Sequence, residues 1–148
     1  MVVDGRFELI GSDERLAITE AEKAAKAHKI SISLSEAHLE SQKLLAVHLH
    51  ADRLPTTTAA RRVTVLLAVA DEKDESHVMG GENGGRTLRH VAVLRRLKRV
   101  GSLDQVNSLS QDVRIGIPRG NGGLRLIAFA QDEENGTIWG VASTRFSK

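Results

Sequence analysis

From Arg62 to Asp71 the chain is apolar on both alternating faces, with Val63, Val65, Leu67 and Val69 set against Leu66, Ala68 and Ala70. A run of this kind suits a central strand covered on both sides. It organises what lies around it. Ile30, Ile32 and Leu34 alternate with polar residues, as do Leu45, Val47, Leu49 and Ala51, and again Val113, Ile115 and Ile117, with Pro118 placed to close that strand. Residues 124–131 and 137–145 supply the last pair. Asn-Gly occurs at 83–84, 121–122 and 135–136, each time between strand-like runs, and this dipeptide favours tight reversals. Short strands at this spacing predict a β-sandwich.

The stretch 86–100 fits two periods. Leu88, Val91, Leu94, Leu97 and Val100 recur every three residues, while Val91 and Val93 alternate with Ala92 and Leu94. A strand is the better expectation, because a lone helix between sandwich strands needs a packing partner of its own.

The first 29 residues differ. Two short strands around Met1–Val3 and Phe7–Ile10 flank Asp4-Gly5, a tight-turn dipeptide. Ser12 is placed to cap a helix running to about His28. Leu16, Ala17, Ala21, Ala24, Ala25 and His28 form its expected inner side, with Glu20, Glu22, Lys23 and Lys26 in water. The predicted fold is therefore mainly β: a ββα piece over residues 1–29, then a β-sandwich-like domain over 30–148. Met1–Arg6 shows no basic segment, long apolar core or small-residue cleavage site, so it reads as the middle of a folded unit rather than a leader. The longest apolar run, Val65–Ala70, is far short of a membrane-spanning helix.

Composition excludes several chemistries. With no cysteine, the chain can supply no disulfide, thiolate nucleophile, Cys-ligated metal or redox motif. A net charge of +2 leaves any polyanion partner dependent on a local patch. Such a patch is offered by Arg86, Arg89, Arg95, Arg96, Lys98 and Arg99, a span of six cations with no acid. The aromatic platform for single strands is missing, since the chain has three Phe, one Trp and no Tyr. Nucleic acid is accordingly a disfavoured partner, with weak polyanion binding through 86–99 kept as an alternative.

The most unusual local sequence is Gly80-Gly81-Glu82-Asn83-Gly84-Gly85-Arg86-Thr87-Leu88-Arg89-His90. Four glycines in six residues permit positive φ and close backbone approach, so an anion-binding nest is physically open to it. It matches no Walker or dinucleotide spacing. Gly81, Glu82, Asn83, Gly84, Gly85, Arg86, Thr87 and His90 are the candidate ligand or partner loop, and a simple exposed loop is the competing expectation. His48 and His50 lie two apart on a strand and so point to one face, roughly 7 Å apart. They are weak metal candidates that need a third ligand, His90 or Glu82. Asp132, Glu133 and Glu134 read as a solvated turn, and Trp139 as core. No G-x-S-x-G, H-E-x-x-H or S-x-x-K motif occurs. No cofactor and no catalytic residue are expected.

Val2-Val3-Asp4-Gly5-Arg6, followed by Gly11-Ser12-Asp13 and an alanine-rich helix, forms one recognisable stretch. Gly81-Glu82-Asn83-Gly84-Gly85-Arg86-Thr87-Leu88 with His90, then Gln131, forms another. Together they resemble the C-terminal part of a bacterial family of unknown function, the secreted or exported thioredoxin-like proteins. The resemblance runs over nearly the whole chain. In that family a thioredoxin-like N-terminal half carries a signal peptide, a cysteine motif and a Tyr-Thr-Pro-Gln segment resembling the cis-proline loop. The resemblance implies that residues 1–28 close a thioredoxin fold and that the rest packs against it. It further implies a periplasmic or extracellular protein; if Met1 is the true start, the expectation is cytoplasmic. The cysteines, the proline loop and the first βαβ are absent here, so redox chemistry transfers to no residue of this chain. The favoured expectation is a noncatalytic β-rich module serving in interaction or scaffolding. The alternative is half of a thiol–disulfide oxidoreductase, active only with a cysteine-bearing half.

Overall fold

The computed structural model describes residues 1–10, 12–57, 62–117 and 123–146. Pro118 and the Asn121-Gly122 pair lie outside the described residues.

Two short strands open the chain, β1 (Val2–Val3) and β2 (Phe7–Glu8), paired Val3↔Phe7. Asp4 and Gly5 both take positive φ, 55° and 72°, and the Arg6 N–H donates to the Val3 carbonyl at 3.1 Å. This is the mirror-image turn that suits a twisted hairpin. Helix α1 (Glu14–Lys26) follows. Its cap is Asp13 rather than Ser12: Oδ1 accepts from the Leu16 N–H at 3.0 Å, and the carboxylate adds charge at the positive helix end. The helix stops at Lys26, two residues before His28, because Ala27 is already extended.

The expected inner face of α1 is corrected as well. The helix rests on Ala17, Glu20 and Ala24, while Ala21, Ala25 and His28 are exposed and Leu16 and Ile18 are 44% and 52% exposed. Glu20 is buried and anchored by Lys23 at 2.6 Å. Residues 17, 20 and 24 share one side of a 3.6-residue helix, and small alanines there let the helix approach closely.

The remainder is two facing sheets. β3 (Ile32–Ser41), β4 (Leu44–Ala51) and β7 (Leu109–Gly116) form one, in the order β3-β4-β7. β5 (Val63–His77), β6 (Thr87–Leu103), β8 (Leu124–Asp132) and β9 (Ile138–Phe146) form the other, in the order β6-β5-β8-β9. All neighbours are antiparallel. Between the sheets lie Leu45, Val47 and Leu49 of β4, Val63, Val65, Leu67 and Val69 of β5, and Leu124 and Leu126 of β8, all at most 1% exposed. The alternation read from the sequence is thus the inner face of a sandwich, and the mainly β fold is as expected.

β5 is central over Val63–Asp71, paired with β6 on one side and β8 on the other. It then runs six residues further than its apolar stretch, to His77. The Glu72 N–H still donates to the Gly123 carbonyl at 3.0 Å, but from Lys73 onward β5 pairs only with β6 among the described residues, so residues 73–77 and 87–91 form a two-stranded arm. The arm's acidic first strand needs no core, because cross-strand ion pairs and its own ladder hold it.

β6 confirms 86–100 as a strand and explains the ambiguous period. Register shifts opposite Val65/Leu66 and Val69/Ala70 leave Val100 and Arg95 as extra residues. Each bulge reverses the parity of the strand, which is how Leu94 and Leu97, three apart across Arg95, come to share a face.

The sandwich closes along β3 and β9. The Ile30 N–H donates to the Trp139 carbonyl at 2.8 Å, and a Cβ on Gly140 would sit 2.6 Å from the Ile30 carbonyl oxygen. The hairpin β1–β2 docks turn to turn against β8–β9. The Ile138 N–H donates to the Asp4 carbonyl at 3.1 Å, and Lys29 Nζ meets the Asp4 carboxylate at 2.5 and 2.6 Å as well as the Ile138 carbonyl.

Candidate functional site

The glycine-rich segment is the tip of the β5–β6 arm, and residues 79–87 are exposed throughout. Gly81 and Gly85 take φ of 78° and 77°. The N–H groups of Gly84, Gly85 and Arg86 donate to the carbonyls of Gly81, Val78 and Asn83 at 2.9, 2.8 and 3.1 Å. These three N–H groups are therefore engaged within the turn. Arg86 reaches Asn83 Oδ1 at 3.4 Å, and Glu82 is exposed. Thr87 and His90 sit on the stem, bonded to His77 Nδ1 at 2.9 Å and Ser76 Oγ at 2.8 Å. The tip carries an exposed Met79, 97% accessible.

His48 and His50 share the outer face of the three-stranded sheet, as their spacing predicts, but neither His90 nor Glu82 joins them. Among the described residues no three His, Asp or Glu side chains stand where they could hold a metal ion. His50 Nε2 contacts Asp52 at 3.0 Å. His48 has two partners on β7: Nδ1 lies 2.7 Å from Asp112 Oδ1, and Nε2 lies 3.1 Å from Ser110 Oγ. Register sets this arrangement, since His48 is directly opposite Asp112 and His50 is opposite Ser110. A cavity of about 180 Å³ beside His48 and Asp112 is lined also by Glu36, His38, Glu40 and Arg114. Arg114 Nε donates to both Glu40 oxygens at 2.8 and 2.9 Å, and that bond holds the Glu40 carboxyl below the usual range. Glu36 bulges from β3 with φ 54°. Sequence reading missed Ser110 and Asp112. Their signal was Ser-x-Asp on a strand able to pair with His-x-His.

Three of the six cations in the basic span 86–99 are ion-paired within the protein. Arg89 pairs with Glu75 at 3.1 Å, Arg95 with Asp71 and Asp74 at 2.6 and 2.5 Å, and Arg99 with Glu133 at 2.9 Å. The Asp71 hydrogen bond is the chief cause that raises the Arg95 pKa. Lys98 turns across the sandwich to the Arg114 carbonyl at 2.7 Å. The acidic turn also departs from expectation, because Asp132 is buried and accepts from the Glu134 N–H at 2.8 Å and Asn135 Nδ2 at 3.1 Å. Trp139 packs on the core as expected, with its Nε1 buried and unpaired among the described residues.

Residues 1–131 match the family model described as "Protein of unknown function (DUF1223)", and the chain belongs to that family. No curated protein matches it. Among solved structures, the β-glucosidase from Kluyveromyces marxianus in complex with glucose is similar at 9% identity and a TM-score of 0.37, over 82% of this chain and 14% of that one. The putative ApaA protein from Bordetella pertussis is similar at 13% identity and a TM-score of 0.28, over 81% of this chain and 94% of its own. The chain thus spans a small fraction of the glucosidase, and likenesses this slight carry no argument about function.

Proposed function

We propose that this chain is an interaction module whose β1–β2–α1 unit docks a thioredoxin-like half, and that it has no thiol chemistry of its own. The observation carrying this reading is where apolar surface is left in water. Met1, Val2, Phe7, Ile10, Leu16 and Ile18 are between 44% and 78% exposed, all within the first eighteen residues. Over the same unit the helix buries only Glu20. Scattered apolar residues are ordinary on a surface, but such a concentration marks a contact face. The resemblance to thioredoxin-like proteins supplies the kind of partner, and with it a periplasmic or extracellular setting.

The test is the intact mass of the endogenous protein in its source cells. A product well above the 16.1 kDa of this chain, with cysteines in the added part, is expected. A product at 16.1 kDa that remains monomeric overturns the reading.

A further inference from the structure

We infer that Ser110 is an activated nucleophile, with His48 as its general base and Asp112 as the positioning residue, able to take an acyl or phosphoryl group from small activated esters. The atoms dictate the roles. An ionised Asp112 only accepts hydrogen bonds, so the 2.7 Å contact requires a proton on His48 Nδ1. In the neutral imidazole Nε2 then carries a lone pair, and the 3.1 Å contact to Ser110 Oγ is a serine O–H donating to it. Nucleophile, base and orienting carboxylate stand in the sequence of contacts by which serine hydrolases activate a hydroxyl.

The fold supplies two further conditions. β7 pairs with β4 alone among the described residues. Arg114 turns its carbonyl outward to Lys98, and backbone groups alternate along a strand, so Ser110 and Asp112 also face outward. The Ser110 N–H therefore lies free of the ladder beside its own Oγ, where an oxyanion can use it. Ser110 is exposed, leaving the hydroxyl open to attack a small electrophile. Competing partners of the imidazole are held elsewhere: Arg114 by Glu40 and His50 by Asp52.

In the step itself Oγ bonds to the acyl carbon or phosphorus and its proton passes to His48 Nε2; an alkoxide leaves with the bonding pair and takes that proton to become the alcohol, whereas fluoride leaves as the anion and the proton goes to solvent. Water releases an acyl group by the same relay in reverse. The Asp112 side chain is 75% exposed, so water screens the relay and the gain sits near the low end of general-base catalysis, about 10²-fold.

The full chain is treated with diisopropyl fluorophosphate, and the adduct is located by peptide mass spectrometry. Ser110 should be labelled about 10²-fold faster than Ser108, an exposed serine two residues away with no histidine hydrogen-bonded to it among the described residues. His48→Gln should abolish the difference. Asp112→Asn should slow Ser110 labelling relative to Ser108, and Asp112→Glu should restore it, because only a carboxylate holds the proton on Nδ1; a merely structural aspartate would leave the ratio in place. Equal labelling of Ser108 and Ser110, no labelling, or Ser110 labelling that survives His48→Gln each overturns the assignment.

Discussion

Substituting Gly5 by alanine tests how the hairpin is held to the sandwich. Gly5 has φ 72°, and a Cβ built on it would lie 2.0 Å from the Gly136 carbonyl oxygen. The left-handed backbone alone costs an L-residue about 1–2 kcal/mol. A carbon meets an oxygen comfortably near 3.3 Å, so the hairpin must retreat by about 1.3 Å. The Ile138 N–H to Asp4 bond, now 3.1 Å, does not survive such a retreat, and a lost hydrogen bond adds about 0.5–1.5 kcal/mol. Together these give about 1.5–3.5 kcal/mol against docking, or roughly a 10- to 300-fold rise in the undocked population. Two readouts report it: hydrogen exchange at the Ile138 amide, and fluorescence of Trp139, the single tryptophan of a chain without tyrosine. Gly136→Ala should behave alike, since its φ is 77° and its Cβ would lie 2.7 Å from the Gly5 oxygen. Gly80→Ala, with nothing within 4 Å of its Cβ, is the neutral control. Unchanged Ile138 protection in Gly5→Ala would refute the turn-to-turn contact.

Other substitutions probe other layers. Leu126→Ala, at a fully buried position between the sheets, should cost about 2–5 kcal/mol in urea unfolding. Lys29→Met strands the largely buried Asp4 carboxylate and should weaken docking by about 1–3 kcal/mol, read again at the Ile138 amide. Glu40 and Glu133 have folded pKa values below the ordinary carboxylate value, the first chiefly through Arg114 and the second chiefly through the Thr64 hydroxyl. Their stabilisation is therefore full above that ordinary value and drains away as pH falls through the lowered one. The acid side of a urea-midpoint profile should be flatter in Glu40→Gln than in the wild type. In the arm, Gly85→Ala at φ 77° should loosen the tip, seen as faster exchange at the Val78 amide, while leaving the unfolding midpoint of the sandwich unchanged.

The sandwich was legible because burial on one face writes a period of two into the chain, as at Leu45–Ala51 and Val113–Ile117. Where a bulge intervenes the signal breaks: Arg95 and Val100 each reverse the parity of β6, so its leucines imitate a helix. The helix boundary shifted by one residue because Ser12 and Asp13 are both competent caps, and only local geometry selects between them. Its buried face was misread because Glu20 is charged, and pattern reading sends charges to water. The Ser110–His48–Asp112 contact was beyond local reading, since its members are 62 and 64 residues apart. It exists only once β4 and β7 adopt one register, and a shift of a single residue would turn His48 toward the core.

The β5–β6 arm has a consequence for how this protein can change. Beyond Glu72 its two strands answer to each other and, among the described residues, to no third strand, so its length is independent of the core. Residues can be added or removed beyond Glu72 provided both strands change together, keeping Glu75 opposite Arg89. An unmatched single deletion turns every later side chain over and separates those charges. Reach is therefore adjustable in paired steps of about 3.3 Å per residue, and the Gly81–Arg86 turn can be carried nearer to or farther from the sandwich without redesigning what it carries.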